Sequence, residues 1–275
     1  MEGEVESIRF LEREGGQGGG EREAVTEIVT LRLRAGVEFK DLVGEDHQVD
    51  GERGEEGVFQ RIWHETLQTV VKQKGCTNSY YGPVQEEEGV LIWCIGLFSL
   101  FLHKTPILTH KQDWTSLAQH KIFMDSPAYT TFLEKLEPIV ESVQIIHVGW
   151  LNVERAVGNG VMEIITFFGV EDTFIEGTKK FITAMRKIEA QKGIVGFGGV
   201  IEYREVIEKI AMQNEGGEVK EEAKGRAMVL VVGWESKEVH MAFRETQDFL
   251  DNIGVLRKET SGQKMYHIAF KSAWI

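Results

Sequence analysis

The chain has 275 residues, 42% of them hydrophobic, enough for one large or two small domains with a real core. Two cysteines, Cys76 and Cys94, are too few for a disulfide framework or a zinc site, so a reducing, cytoplasmic setting is the expectation. The formal charge is -13, and an acidic excess of nine lies within residues 1–56, so no basic face of the kind nucleic acid requires is expected.

Residues 1–24 are rich in Glu and Gly and read as a disordered acidic tail. The Gly15-to-Gly20 run has no preceding strand and no following Gly-Lys-Ser/Thr, so it is not a phosphate loop. Glu27 to Leu33 alternates β-branched and polar residues, as a strand does. A polar loop follows through Gly57. Residues from Phe59 to Lys74 carry apolar positions at helical spacing, and Gly75 stops them. Thr77 to Val84 and Gly89 to Ile95 read as strands joined by the acidic turn around Glu86, Glu87 and Glu88. Ser116 caps a helix running to Met124, and Val143 to Val148 is a closing strand. The second half repeats this order: strand 163–168, helix 174–192, strand 196–203, strand 227–232, helix 236–252, strand 264–270. Between its middle strands, residues 205–225 look like a mobile or marginally helical excursion.

Two blocks align the halves. Trp114, Ser116, His120 and Phe123 recur at the same intervals as Trp234, Ser236, His240 and Phe243, and each block precedes a strand bearing His147 or His267. The entry strands also agree, Glu27-Ile-Val-Thr30 against Glu163-Ile-Ile-Thr166. The expected class is therefore α+β, two tandem ferredoxin-like βαββαβ repeats over residues 25–155 and 160–275, packed sheet to sheet. Setting Trp114 on Trp234 puts Ile95 on Val232 and leaves residues 96–112 without a counterpart. That segment is either an apolar lid or the translation of a retained intron. It is too short to span a membrane.

The doubled Trp-x-Ser-x-x-x-His-x-x-Phe block followed by a His-bearing last strand resembles the antibiotic-biosynthesis-monooxygenase-like members of the dimeric α/β-barrel superfamily. The likeness is to the fused, two-repeat type of filamentous fungi, and it covers residues 25–271 apart from 96–112 and the acidic hairpin. It implies a monomeric pseudo-dimer, with further self-association open. It also implies either a cofactor-independent monooxygenase or cyclase/isomerase acting on a hydrophobic aromatic or polyketide-like metabolite, or a non-catalytic ligand-binding or stress-response barrel. On that basis His147 and His267 are the candidate proton acceptors. Trp114, Trp234, His120, His240, Thr30 and Thr166 are the candidate pocket residues. Each also has a structural reading: the tryptophans as packing wedges, the histidines as satisfied buried groups. No cofactor and no metal are expected, with haem on a strand His as the alternative. The partner is a small hydrophobic molecule, not nucleic acid or membrane.

Overall fold

The computed structural model describes residues 25–44, 57–73, 75–97, 121–151, 153, 160–192, 201–213 and 219–273. The acidic tail, Trp114, Ser116, His120 and most of the unmatched segment lie outside them.

In the first half, β1 (Val25–Leu33) leads through the short helix α1 (Phe39–Val43) to the amphipathic helix α2 (Val58–Val71). Then come β2 (Cys76–Pro83), β3 (Val90–Leu97), α3 (Pro127–Leu136) and β4 (Val140–Gly149). In the second half, β5 (Val161–Phe168) and the long helix α4 (Asp172–Lys192) precede β6 (Ile201–Glu205) and a ribbon of β7 (Ile210–Gln213) and β8 (Val219–Gly225). β9 (Ala227–Trp234), α5 (Lys237–Arg244), α6 (Gln247–Asn252), a 3-10 turn at Ile253–Arg257, β10 (Gly262–Ile268) and β11 (Lys271–Ser272) complete it.

Two antiparallel sheets result, ordered β11-β2-β3-β1-β4 and β10-β5-β9-β6. Leaving out β11, the order is the same in both halves, with the first strand of each half between its third and fourth. Register matches as well. Glu27 stands opposite His147 and Ile95, and Glu163 stands opposite His267 and Val232.

Side chains alternate faces along a strand, so each sheet buries both faces. One face of each joins a shared cluster between the sheets: Ile28, Ile92, Cys94 and Val148 from the first, Met162, Ile164, Val229 and Ile268 from the second. The opposite faces meet helices. Val29, Leu31 and Trp93 pack with Trp63 and Leu67 of α2, and Ile165, Phe167 and Leu230 pack with Phe174, Phe181 and Met185 of α4. Continuous apolar runs such as Met228 to Val232 follow from this double burial.

The sheets are tied at two seams. Val84 bridges Ile268 and the backbone N–H of Gln85 donates to the His267 carbonyl. On the other side, Val148 bridges Val206 and Ile207 N–H donates to the His147 carbonyl. Gly82 makes the first seam possible, because a Cβ there would lie 2.5 Å from the carbonyl oxygen of Ala269 and 2.7 Å from a methyl of Ile268. Gly82→Ala should lower stability by about 1–3 kcal/mol, the usual cost of overpacking. Chemical denaturation reads this directly, and an unchanged midpoint would mean that the seam gives way freely.

Several elements differ from the sequence expectation. Residues 205–225 hold the β7–β8 ribbon rather than a helical excursion. Ile210 and Val219 flank a Gly216-Gly217 turn signal, and the preceding residues are pinned to β4 by the second seam. The expected 236–252 helix is two helices, because Thr246 accepts from Phe249 N–H and starts a new turn. The polar loop before Gly57 contains α1, and α3 begins at Pro127, a residue suited to a first helical position. Gly96 and Leu97 belong to β3, opposite Thr26 and Val25, as Gly233 and Trp234 stand opposite Met162 and Val161. By strand register Gly96 and Leu97 thus occupy the places that the block alignment gives to Asp113 and Trp114.

Candidate functional site

On the helix-facing side of the second sheet, β5 places Glu163 beside His267 of β10, and β9 brings Trp234 alongside. Ser236 caps α5 by accepting from Val239 N–H, which seats His240 one turn in, over the same spot. All four side chains are buried. The Trp234 indole N–H donates to Glu163 Oε2 at 2.8 Å, and its ring stacks on His240 at 4.4 Å between centroids. His240 Nδ1 lies 2.7 Å from His267 Nε2, and His240 Nε2 lies 3.6 Å from Glu163 Oε2.

The last partner comes from the other half of the chain. Glu86, on the acidic turn between β2 and β3, accepts from the His267 backbone N–H at 2.8 Å through Oε2 and bonds His267 Nδ1 at 2.7 Å through Oε1. Lys237 Nζ sits 2.6 Å from the same Oε1. Burial alone would raise the Glu86 pKa, but the bonds from Lys237 and His267 outweigh it and hold the carboxyl below its usual value.

An ionised carboxylate only accepts, so His267 carries its proton on Nδ1 and offers a lone pair at Nε2. His240 must then donate from Nδ1, which leaves its Nε2 lone pair facing Glu163. Burial, with the nearby His267, Arg244 and Lys237, pushes the His240 pKa down to about 3. Burial lifts Glu163 to about 7, partly offset by the Trp234 bond and Arg244. At neutral pH the pocket wall thus combines a neutral imidazole with a carboxyl near its midpoint.

This cluster borders a small cavity of ≈ 80 Å³. Its remaining lining is mostly apolar, with Phe181, Leu230, Phe249 and Met265 among the walls and Arg244, Arg257 and Gln263 as polar members. That character, mostly apolar with a few polar groups, is the kind that small hydrophobic molecules meet. Glu163, Trp234 and His240 line the cavity. His267, fully buried, stands behind His240 and is not among the lining residues.

Oxygen and nitrogen atoms of Glu163, His240 and His267 lie within 4.8 Å of one another, close enough to meet a divalent ion. Two ligands about 2.1 Å from a tetrahedral ion stand about 3.4 Å apart. The 2.7 Å approach of the two imidazoles therefore reads as a hydrogen bond rather than as two ligands of one ion.

The first half carries the corresponding Glu and His. Glu27 and His147 face each other on the helix side of the first sheet, with His147 Nε2 3.8 Å from Glu27 Oε2. Glu208, from the second half, accepts from His147 N–H at 2.8 Å and also bonds His147 Nδ1. Each strand histidine is therefore clamped by a carboxylate from the opposite half. Trp114 and His120, which would complete the comparison, lie outside the described residues. Thr30 and Thr166 share a strand face with Ile28 and Ile164, between the sheets, and so lie on the side away from the cavity.

The sequence reading named the histidines and tryptophans but missed all four carboxylates. For Glu27 and Glu163 a signal existed: each is an acid inside a β-branched run, at matched positions. Glu86 and Glu208 sit in charged loops, and only the fold brings them to the histidines.

No protein-family model matches the chain, and no curated relative does. Solved structures do. An anthrone oxidase-like protein aligns over 93% of this chain and 95% of its own with a TM-score of 0.54 and 12% identity, which establishes a common fold. A candidate monooxygenase from Fusobacterium nucleatum (TM-score 0.46, 8% identity, 90% of this chain and 93% of its own) and a chlorite dismutase variant from Candidatus Nitrospira defluvii (0.42, 8%, 90% and 92%) align more loosely. Among the described residues no helix is long and apolar enough to cross a membrane.

Proposed function

We propose that the chain is a pseudo-dimeric α/β barrel, with domains at 25–155 and 160–275, that oxidises a hydrophobic aromatic or polyketide-like metabolite without a cofactor. The observation that carries this reading is the apolar cavity whose polar wall pairs the neutral imidazole of His240 with the Glu163 carboxyl, His240 Nε2 lying 3.6 Å from Glu163 Oε2. A phenol or an activated C–H placed against that nitrogen gives up its proton. The resulting anion is electron-rich enough to react with dioxygen directly. Four electrons pass from substrate to oxygen as two C–H bonds break, one oxygen atom stays as a new carbonyl, and the other leaves as water carrying the two hydrogens. Cyclisation or isomerisation would use the same proton transfer without oxygen. Trp234 walls the cavity and holds Glu163, whose carboxyl faces the incoming proton. His147 and the first-half residues are the counterpart site.

Anthrone is a suitable probe, being flat, apolar and acidic at its methylene carbon. The wild-type protein should bind it, as read by tryptophan fluorescence, and consume one dioxygen per anthrone. His240→Ala should retain binding within a few-fold and lose at least 100-fold in turnover, the range that removal of a positioned base produces. Binding without oxygen uptake would sink the oxidase and support the non-catalytic ligand-binding barrel, while failure to bind would remove the cavity from consideration. Haemin added to the same protein tests the haem alternative: an unshifted Soret band removes it, while a shift that His240→Ala abolishes assigns the iron to His240 Nε2, since the His267 nitrogen already accepts a bond from His240.

A further inference from the structure

The position of His240 poses a difficulty for a proton acceptor. His240 lines the cavity with its Nε2 3.6 Å from Glu163 Oε2, yet an imidazolium formed there would be buried beside a second imidazole and near Arg244 and Lys237. The geometry removes the difficulty, because His240 is not isolated. Its Nδ1–H points at the lone pair of His267, and His267 in turn is bonded on its far side to an ionised carboxylate.

We propose that His240 and His267 act as one two-ring base, whose tautomers and charge are set by Glu86, a carboxylate that the first half of the chain places in the second half's site. This rests on the reading of the cavity given above and assigns the group behind it. When His240 Nε2 takes a proton, its Nδ1 proton passes to His267 Nε2. His240 ends neutral in its other tautomer, and the positive charge stands on His267 against Glu86. One proton enters, one moves, and no charge remains on the cavity-facing ring. Glu86 is a positioning residue, since it touches neither cavity nor substrate.

Three features support the assignment. Glu86 grips His267 at both the backbone N–H and Nδ1, so it fixes ring and strand together. Lys237 sits against the same oxygen and keeps the carboxylate ionised. The carboxylate clamp is also built twice: Glu208 grips His147 at the same two nitrogens from the opposite half. A chance contact of a charged turn with a histidine would not recur at the matched position with the halves exchanged.

The test reads tautomers first. Long-range proton–nitrogen NMR correlations on the intact wild-type chain should show both His240 and His267 protonated at Nδ1 and bare at Nε2. A His267 protonated at Nε2 overturns the proposal, whatever the substrate is. Glu86→Ala should then mix the His267 tautomers, whereas Glu86→Asp should largely preserve them. With anthrone as probe, Glu86→Gln should bind with an unchanged KM and lose about 100-fold in kcat, with Glu86→Asp restoring it to within about tenfold. Equal kcat in Glu86→Gln and wild type overturns the relay. Wild-type protein that leaves anthrone untouched counts against the oxidase reading alone, because the tautomer measurement still decides the histidine pair.

Discussion

Replacing Glu27 by Gln is expected to make the chain more stable at pH 8, by on the order of 3–5 kcal/mol, and to change little at pH 4.5. Burial, aided by the charge of Glu208, lifts the Glu27 carboxyl from 4.5 to about 8. In the folded protein it is therefore neutral where the unfolded chain is already ionised. The folded state binds the extra proton, so stability is fully present below the unfolded value and is lost as pH rises from about 4.5 to about 8, at about 1.4 kcal/mol per pH unit for one group. Glu163, lifted to about 7, works in the same direction over a narrower range. Glu86, Glu87 and Glu205 are held low and act in the opposite sense, but below pH 4.5, outside this window. His240, held down at about 3, also acts in the opposite sense, and does so up to its unfolded value of about 6.5. Among the described residues, His147, Glu208, Cys76 and Tyr129 lie around Glu27. Denaturant titrations at half-unit pH intervals should show stability falling from pH 4.5 to 8 in the wild type, nearly flat to about pH 6.5 and falling only just above it in Glu27→Gln, and rising to about pH 6.5 before levelling in the double variant with Glu163→Gln, where His240 alone remains. A wild-type curve that rises from pH 5 to 8 would mean that both carboxylates are ionised in the folded protein.

How far the sequence carries depends on which interactions are local. The Trp-Ser-His-Phe echo and the alternation of β1 and β5 were enough to align the halves, and the sheet registers reproduce the equivalence of Ile95 with Val232. What alternation could not supply was the face on which a cavity lies. Both faces of each sheet are apolar, one against the other sheet and one against helices, so Thr30 and Thr166 carried no mark of being on the wrong side. The His240 position was legible because Ser236 and Thr246 set the helix boundaries around it. The clamps were not: Glu86 lies 181 positions from His267 and Glu208 lies 61 from His147, and nothing in a charged turn distinguishes a carboxylate in solvent from one that reaches across a seam. The missing clue was chemical rather than periodic. An acid in the middle of a buried strand must find donors or stay protonated, and Glu27 and Glu163 sit at the same place in both halves.

Trp234→Ala should be the most damaging single change at the site, costing about 3–5 kcal/mol, because a large, almost wholly buried ring is lost from a packed cluster. The loss has two separable parts. One is packing, since the indole meets Phe243 at 5.6 Å and stacks on His240. The other is polar: without its N–H, Glu163 keeps a buried oxygen short of a donor, which costs about 1–3 kcal/mol. Trp234→Phe retains most of the first and deletes the second. It should therefore destabilise by about 1–3 kcal/mol at pH 8 and less at pH 5, where Glu163 is protonated in either protein. The same deletion removes the bond that holds the Glu163 pKa down, so its titration should move above about 7. Measuring that carboxyl by carbon-13 NMR in the Phe variant distinguishes the two parts. A titration midpoint unchanged from the wild type, together with a large stability loss, would assign Trp234 to packing alone and leave Glu163 to be governed by burial and Arg244.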